Sequence, residues 1–176
     1  MTAALGLGWD AAWAEAFAPF AGTGRRPARV VAVHRETSIV RDGLTGTDRP
    51  AVVTGQFRRE ALAPSDYPAV GDWLVLEPTA PEAGPDDPAI IAAILPRRSA
   101  FRRRVADASR RGAAETGNLG TEQVMAANVD IAFLVAGLDQ DFNARRLERY
   151  LAVAASSAVA PVIVLNKADV ARDLEG

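Results

Sequence analysis

The stretch APVIVLNKADVA, residues 160–171, sets a continuous apolar run against an abrupt polar stop at Asn166-Lys167-Ala168-Asp169. A short unbroken apolar run ended by turn-forming residues reads as a strand buried on both faces, the pattern of a parallel sheet. Working backward, NARRLERYLAVAASSA (143–158) has helical spacing, with Leu147, Tyr150, Leu151 and Ala154 on one face and Asp141 or Asn143 as its cap. Before it, VMAANVDIAFLVAGL (124–138) holds a second buried-type strand centred on Ile131–Val135. Strand, helix and strand in so short a span make a βαβ unit, the start of an α/β domain.

The polar tetrapeptide fits the N-K-x-D pattern that reads guanine in GTP-binding proteins. Guanine presents N1–H and its N2 amino group side by side, and one carboxylate can accept both in a charge-assisted fork. Asp169 is the candidate for that contact. Adenine carries an acceptor at the corresponding ring nitrogen, so the same carboxylate faces a lone pair. A site that leaves a polar group unpaired discriminates more sharply than a shape mismatch does. The methylene stem of Lys167 can cover the purine, and Asn166 can reach its imidazole edge and hold neighbouring loops. The pattern also stands just past the end of a strand, where open α/β sheets bind their ligands.

The usual companions of this motif are missing. A phosphate-binding P-loop, G-x-x-x-x-G-K-[ST], needs a lysine. Lys167 is the sole lysine beside 19 arginines, so no such loop exists in these 176 residues. In the common order of GTPase motifs the P-loop precedes the base reader. The remaining choices are a chance match or a rearranged order in which the P-loop follows residue 176.

Upstream, short β segments alternate with turn residues: ARVVAVHRETSIV (28–40), PAVVTGQF (50–57), DWLVLEP (72–78) and AIIAAIL (89–95). Strands this short, with turns this frequent, predict a small closed barrel rather than an open sheet. An OB-type barrel is the most economical choice, and an SH3-like one fits the same pattern. Residues 8–21 read as an amphipathic helix whose Trp9, Trp13, Phe17 and Phe20 form a packing face.

Charge is unevenly spread. Residues 97–111 carry seven Arg against Asp107, whereas the segments on either side are each net −4 within a chain of net charge −2. Arg97, Arg98, Arg102, Arg103 and Arg104 are candidate RNA-phosphate contacts, with Arg110 and Arg111 beside them. The competing reading is a solvated linker. Arg58 and Arg59 are weaker candidates, because the barrel region is acidic and has few aromatics for base stacking. A chain with no Cys and one His, His34, supports neither a disulfide framework nor a zinc site. No apolar run reaches membrane-span length and the first twenty residues lack a signal-peptide pattern, so a cytoplasmic protein is expected.

With these motifs in order, the chain resembles the ribosome small-subunit-dependent GTPase A family, the circularly permuted GTPases of the RsgA/YjeQ type. The resemblance rests on RVVAVHRE (29–36), AVGDWLVLEP (69–78), ILPRRSAFRR (94–103), EQVMAANVDIAFLV (122–135), DQDFNARRLERYLAVAA (139–155) and PVIVLNKAD (161–169). It implies an N-terminal helix (1–24), an OB-fold domain (25–96), an arginine-rich linker (97–123) and the beginning of a permuted P-loop-type GTPase domain (124–176). It further implies a GTPase using GTP and Mg2+ in late maturation of the 30S small ribosomal subunit. The protein would bind 16S rRNA through its OB domain, probe guanine with Asn166, Lys167 and Asp169, and act as a monomer. The family also implies Zn2+ in a C-terminal domain that has no counterpart here. Neither a catalytic residue nor a metal ligand is assigned within this chain, and the chain alone is expected to be inactive. The alternative expectation is a non-enzymatic OB-fold RNA-binding module with an α/β appendage.

Overall fold

The computed structural model describes residues 7–34, 37–79, 84, 87–105 and 121–171. Five strands close a barrel: β1 (Arg26–His34), β2 (Thr37–Asp42), β3 (Asp48–Val53), β4 (Trp73–Leu76) and β5 (Ala89–Ile94). Around the barrel they run β1-β2-β3-β5-β4, and β4 returns to β1. All neighbours are antiparallel except β3 and β5, which pair in parallel with Ala51 opposite Ala89. This is the OB arrangement, so the OB-type alternative is the one the chain adopts.

Period-2 alternation sorts the side chains. Along β4, Leu74 and Leu76 point into the barrel with Ala28, Val30, Val40, Ala51 and Ile91. Trp73 and Val75 point outward, yet are equally buried, because Trp13 and Phe17 of helix α1 (Ala11–Phe17) pack over them. Full burial of side chains this size contributes about 1.5–3 kcal/mol each. The aromatic stripe continues in Trp9, whose ring meets Trp73 edge-on at 4.6 Å. Asp10 caps α1 by accepting the Trp13 N–H at 3.0 Å. A further turn at Ala18–Phe20 extends the helical region.

The barrel also buries charge. Asp42 ends β2 inside the barrel wall, where it pairs with Arg26 at 3.1 Å and accepts the Leu44 and Thr45 N–H groups. Those two bonds shape the β2–β3 turn.

Several segments differ from their sequence reading. Residues 28–40 form two strands, with β1 and β2 meeting at His34 opposite Thr37. The segment 50–57 ends as strand at Val53; Thr54 then accepts the Phe57 N–H and starts a short helix, α2 (Gly55–Glu60), which carries Arg58 and Arg59. The segment read as a linker contains strand β6 (Ala100–Val105), antiparallel to β7 (Thr121–Ala127). β6 has no apolar period because main-chain pairing holds it, and only Ala100 joins a small core with Ala69, Val124 and Ala127. Residues 106–120 of the expected linker lie outside the described residues.

After β7 the chain turns at Asn128, whose φ is +56°. There the barrel and the following unit are tied together. Ala127 donates to the Val70 carbonyl at 2.8 Å, Asn128 Nδ2 donates to the Gly71 carbonyl at 3.1 Å, and Arg29 Nη2 donates to the Asn128 carbonyl at 3.1 Å. Gly71 has φ +92°, and a Cβ there would lie 2.0 Å from the Ala127 oxygen. Only glycine fits that approach.

Strand β8 (Ile131–Gly137), helix α3 (Ala144–Ser156) and strand β9 (Ala160–Asn166) complete the described chain. β8 and β9 are parallel and in register from Ile131 opposite Ala160 to Gly137 opposite Asn166. Asn143 is the cap of α3, accepting the Arg146 N–H at 3.0 Å. The two strands were expected to be buried, but Ile131, Phe133 and Val135 are exposed, as is β9 along its length. Their runs are apolar on both faces, and among the described residues α3 is the only helix packed against them.

Candidate functional site

The parallel register sets the carboxyl ends of β8 and β9 side by side, and Leu138 N–H extends the ladder by donating to the Asn166 carbonyl at 2.8 Å. Asn166, Lys167 and Asp169 of the N-K-x-D pattern sit on this rim. Asn166 closes β9 and folds its side chain back, so that Oδ1 accepts the Lys167 N–H at 2.8 Å. Lys167 takes the left-handed conformation, φ 58° and ψ 38°. That conformation is uncommon for a residue with a Cβ, and here the Asn166 side chain bridges the turn. A tight turn over Ala168–Val170 follows, closed by Val170 N–H on the Lys167 carbonyl at 3.2 Å.

The turn leaves all three reader side chains exposed. Asp169 has neither a hydrogen bond nor an ion pair among the described residues. An open cleft of about 610 Å3 adjoins the turn, lined by Leu138, Asp139, Gln140, Asp141 and Val170.

Sequence reasoning missed one residue of this rim. Asp139 reaches across from the end of β8 to pair with the Lys167 ammonium. That hydrogen bond, helped by the Asp141 N–H on Asp139 Oδ1, holds the Asp139 carboxyl below its ordinary range. Asp139 in turn raises Lys167, with smaller contributions from Asp141 and Asp169. The signal available in the sequence was the acidic DQD directly after the β8 apolar run, at the same strand end as the base reader.

The arginines separate into two groups. Arg97 forks onto the fully buried Asp72 with two contacts of 2.7 Å, and donates to the Ser65 and Tyr67 carbonyls at 2.6 and 2.8 Å. Arg98 forks onto Asp10, both contacts 2.6 Å, with its guanidinium 4.0 Å from the Trp13 ring centroid. These two charges are thus neutralised within the fold and lock β5's exit to the barrel and to α1. Arg102 and Arg103 stay exposed on β6, one 3.7 Å from Glu122 and the other 3.4 Å from Gln123. Arg104 pairs through its backbone with Glu122, while its side chain, Arg110 and Arg111 lie outside the described residues.

Among the described residues no group of three His, Cys, Asp or Glu side chains is placed to hold a metal ion. None of the described helices is long and apolar enough to cross a membrane.

Comparison with known proteins gives the chain's relatives. The RsgA GTPase family model matches residues 94–175. A small ribosomal subunit biogenesis GTPase RsgA from Opitutus terrae is 44% identical over 177 residues, covering 97% of this chain and 44% of the relative. The protein of the same name from Syntrophotalea carbinolica is 40% identical over 167 residues, covering 93% of this chain and 42% of its own length. The chain thus spans less than half the length of these relatives. In fold, it is similar to YjeQ from Thermotoga maritima, with a TM-score of 0.58 and 23% identity over 85% of this chain and 44% of that one. It is also similar to YloQ, described as a circularly permuted GTPase, with a TM-score of 0.54, 21% identity, and coverage of 85% and 43%.

Proposed function

We propose, from the chain's match to the RsgA GTPase family model and its 44% identity to an RsgA relative, that the whole protein binds and hydrolyses GTP as a small-subunit biogenesis factor, and that this part of it selects the base. The observation that carries the reading is the exposed Asp169 carboxylate, which has no hydrogen bond or ion pair among the described residues, on the rim where β8 and β9 end. In the proposed complex Asp169 accepts from guanine N1–H and N2–H, a fork that adenine cannot complete. The Lys167 stem covers one face of the purine, and Asn166 keeps the turn in shape through its bond to the Lys167 amide.

This chain's own residues do no phosphate chemistry, since it has no P-loop lysine. Magnesium would neutralise phosphate charge when bound with GTP, and among the described residues no group of three His, Cys, Asp or Glu side chains is placed to hold a metal ion. Both ions belong to the proposal for the whole protein, zinc in a C-terminal domain.

The proposed partner is the 30S subunit late in its maturation, engaged in the cytoplasm by a monomer. The barrel would contact 16S rRNA, with exposed Arg102 and Arg103 contributing salt-dependent phosphate contacts. Arg97 and Arg98 would support that surface rather than touch RNA, because their guanidinium groups are already forked onto Asp72 and Asp10.

The test is nucleotide competition on the whole protein, together with co-sedimentation with 30S particles. GTP should displace a bound guanine nucleotide analogue at least a hundredfold better than ATP, and GTP should increase the fraction that sediments with 30S. Equal competition by ATP would overturn the guanine reading. RNA binding without nucleotide binding would favour a non-enzymatic OB module.

A further inference from the structure

The ion pair between β8 and β9 does more than decorate the rim. Lys167 sits in a left-handed turn that directs it back toward the end of β8. Asp139 is set at that end by the strand register and by the extra ladder bond from Leu138 to Asn166. The Asp139 carboxylate is itself fixed from two sides. Its Oδ1 accepts the Asp141 N–H at 3.1 Å, and its Oδ2 takes the Lys167 ammonium. The backbone around it is also closed, with the Phe142 N–H on the Asp139 carbonyl at 3.0 Å. Gly137 leaves the space in which the carboxylate lies, because a Cβ at that position would come within 3.2 Å of Oδ2.

A lysine covering a base must hold a flexible four-carbon stem in one conformation, and ordering such a side chain on binding has an entropic cost. An acidic partner in place before the ligand arrives removes part of that cost. We propose that Asp139 is a positioning residue for the base site, anchoring the Lys167 ammonium so that the lysine stem is already laid out where a purine face stacks. This proposal rests on the guanine reading above and adds to it a division of labour. Asp169 reads the identity of the base, whereas Asp139 and Lys167 together strengthen binding of purines that share the same face. Asp139 touches neither the base nor the phosphates; it acts through Lys167.

The division is open to a double-substitution cycle on the whole protein, with affinities for GTP and inosine triphosphate measured by calorimetry. Asp139→Asn keeps an oxygen for the Asp141 N–H and so preserves the turn, but removes the charge that holds the ammonium. It should weaken GTP and inosine triphosphate by the same factor, about two- to fivefold, the range expected for an exposed ion pair. In a Lys167→Met background, which keeps an apolar stem without the ammonium, Asp139→Asn should have no further effect. An unchanged affinity in Asp139→Asn would overturn the proposal. So would an equal loss in the Lys167→Met background, which would mean that Asp139 only shapes its own turn. Failure of the underlying reading looks different: the unsubstituted protein would then show no preference for GTP over ATP.

Discussion

Arg97→Ala should destabilise the barrel by about 3–5 kcal/mol, the usual consequence of removing one partner from a buried ion pair. Asp72 is wholly buried, and the Arg97 side chain is only 16% exposed. Both carboxylate oxygens receive a guanidinium N–H at 2.7 Å, and one of them also accepts the Ala69 N–H at 2.8 Å. Among the described residues, truncation leaves that single amide as the donor to a buried negative charge. The Ser65 and Tyr67 carbonyls lose a donor as well, but they lie in partly exposed loop and recover water, so they add little. Arg97→Lys should fall between the two, at about 2 kcal/mol, because one ammonium cannot span both oxygens and two carbonyls. Arg102→Ala is the control: its nearest acid is 3.7 Å away and both partners are about half exposed, so a change within about 0.5 kcal/mol is expected. Urea unfolding followed by tryptophan fluorescence suits the purpose, since all three tryptophans, Trp9, Trp13 and Trp73, lie in the α1–β4 cluster. A loss of 3–5 kcal/mol is a large part of the total stability of a small domain. The reasoning is refuted if Arg97→Ala shifts the urea midpoint no more than Arg102→Ala does while flattening the salt dependence of RNA binding.

Other consequences follow from the same geometry. Gly71→Ala should cost about 3 kcal/mol or more in the urea assay, combining a left-handed backbone with a Cβ that meets the Ala127 oxygen at 2.0 Å; a loss below 1 kcal/mol would show that β7 does not need so close an approach. Asp10 is held far below the ordinary carboxylate range, first by its bond to Arg98 and then by the Trp13 N–H. Its folded pKa is depressed, so its contribution is present above the unfolded value and is lost only as pH falls through the lower folded value. A carbon-detected NMR titration should therefore find Asp10 still ionised at pH 3, and in Arg98→Ala its midpoint should rise; a midpoint near 4 in the unsubstituted protein would contradict the fork.

The sequence showed the parts whose signal is local. Turn residues every few positions revealed the barrel, and two unbroken apolar runs around a capped amphipathic segment revealed the β8–α3–β9 unit. The position of the N-K-x-D tetrapeptide just past a strand was visible because its residues are contiguous and follow an unbroken apolar run. What escaped reading depends on distant partners or on main-chain pairing. Arg97 and Arg98 looked like members of a surface cluster because Asp72 and Asp10 lie 25 and 88 residues away. Strand β6 looked like linker because its side chains carry no apolar alternation, its bonds being main-chain bonds to β7. Thr54 ended a strand that its β-branched neighbours seemed to continue, since a threonine cap and a threonine in a strand are indistinguishable without the following N–H. Asp139 lies 28 residues from Lys167 and meets it only through the parallel register.

The central claim, that Asp169 selects guanine, is tested most directly by Asp169→Asn in the whole protein, measuring affinity for GTP and xanthosine triphosphate side by side. Xanthine carries an oxygen at C2 where guanine carries an amino group, and an amide at position 169 can donate to it. The account predicts that GTP affinity falls at least tenfold while xanthosine triphosphate gains, reversing the order of preference. An unchanged preference for GTP in Asp169→Asn would contradict it.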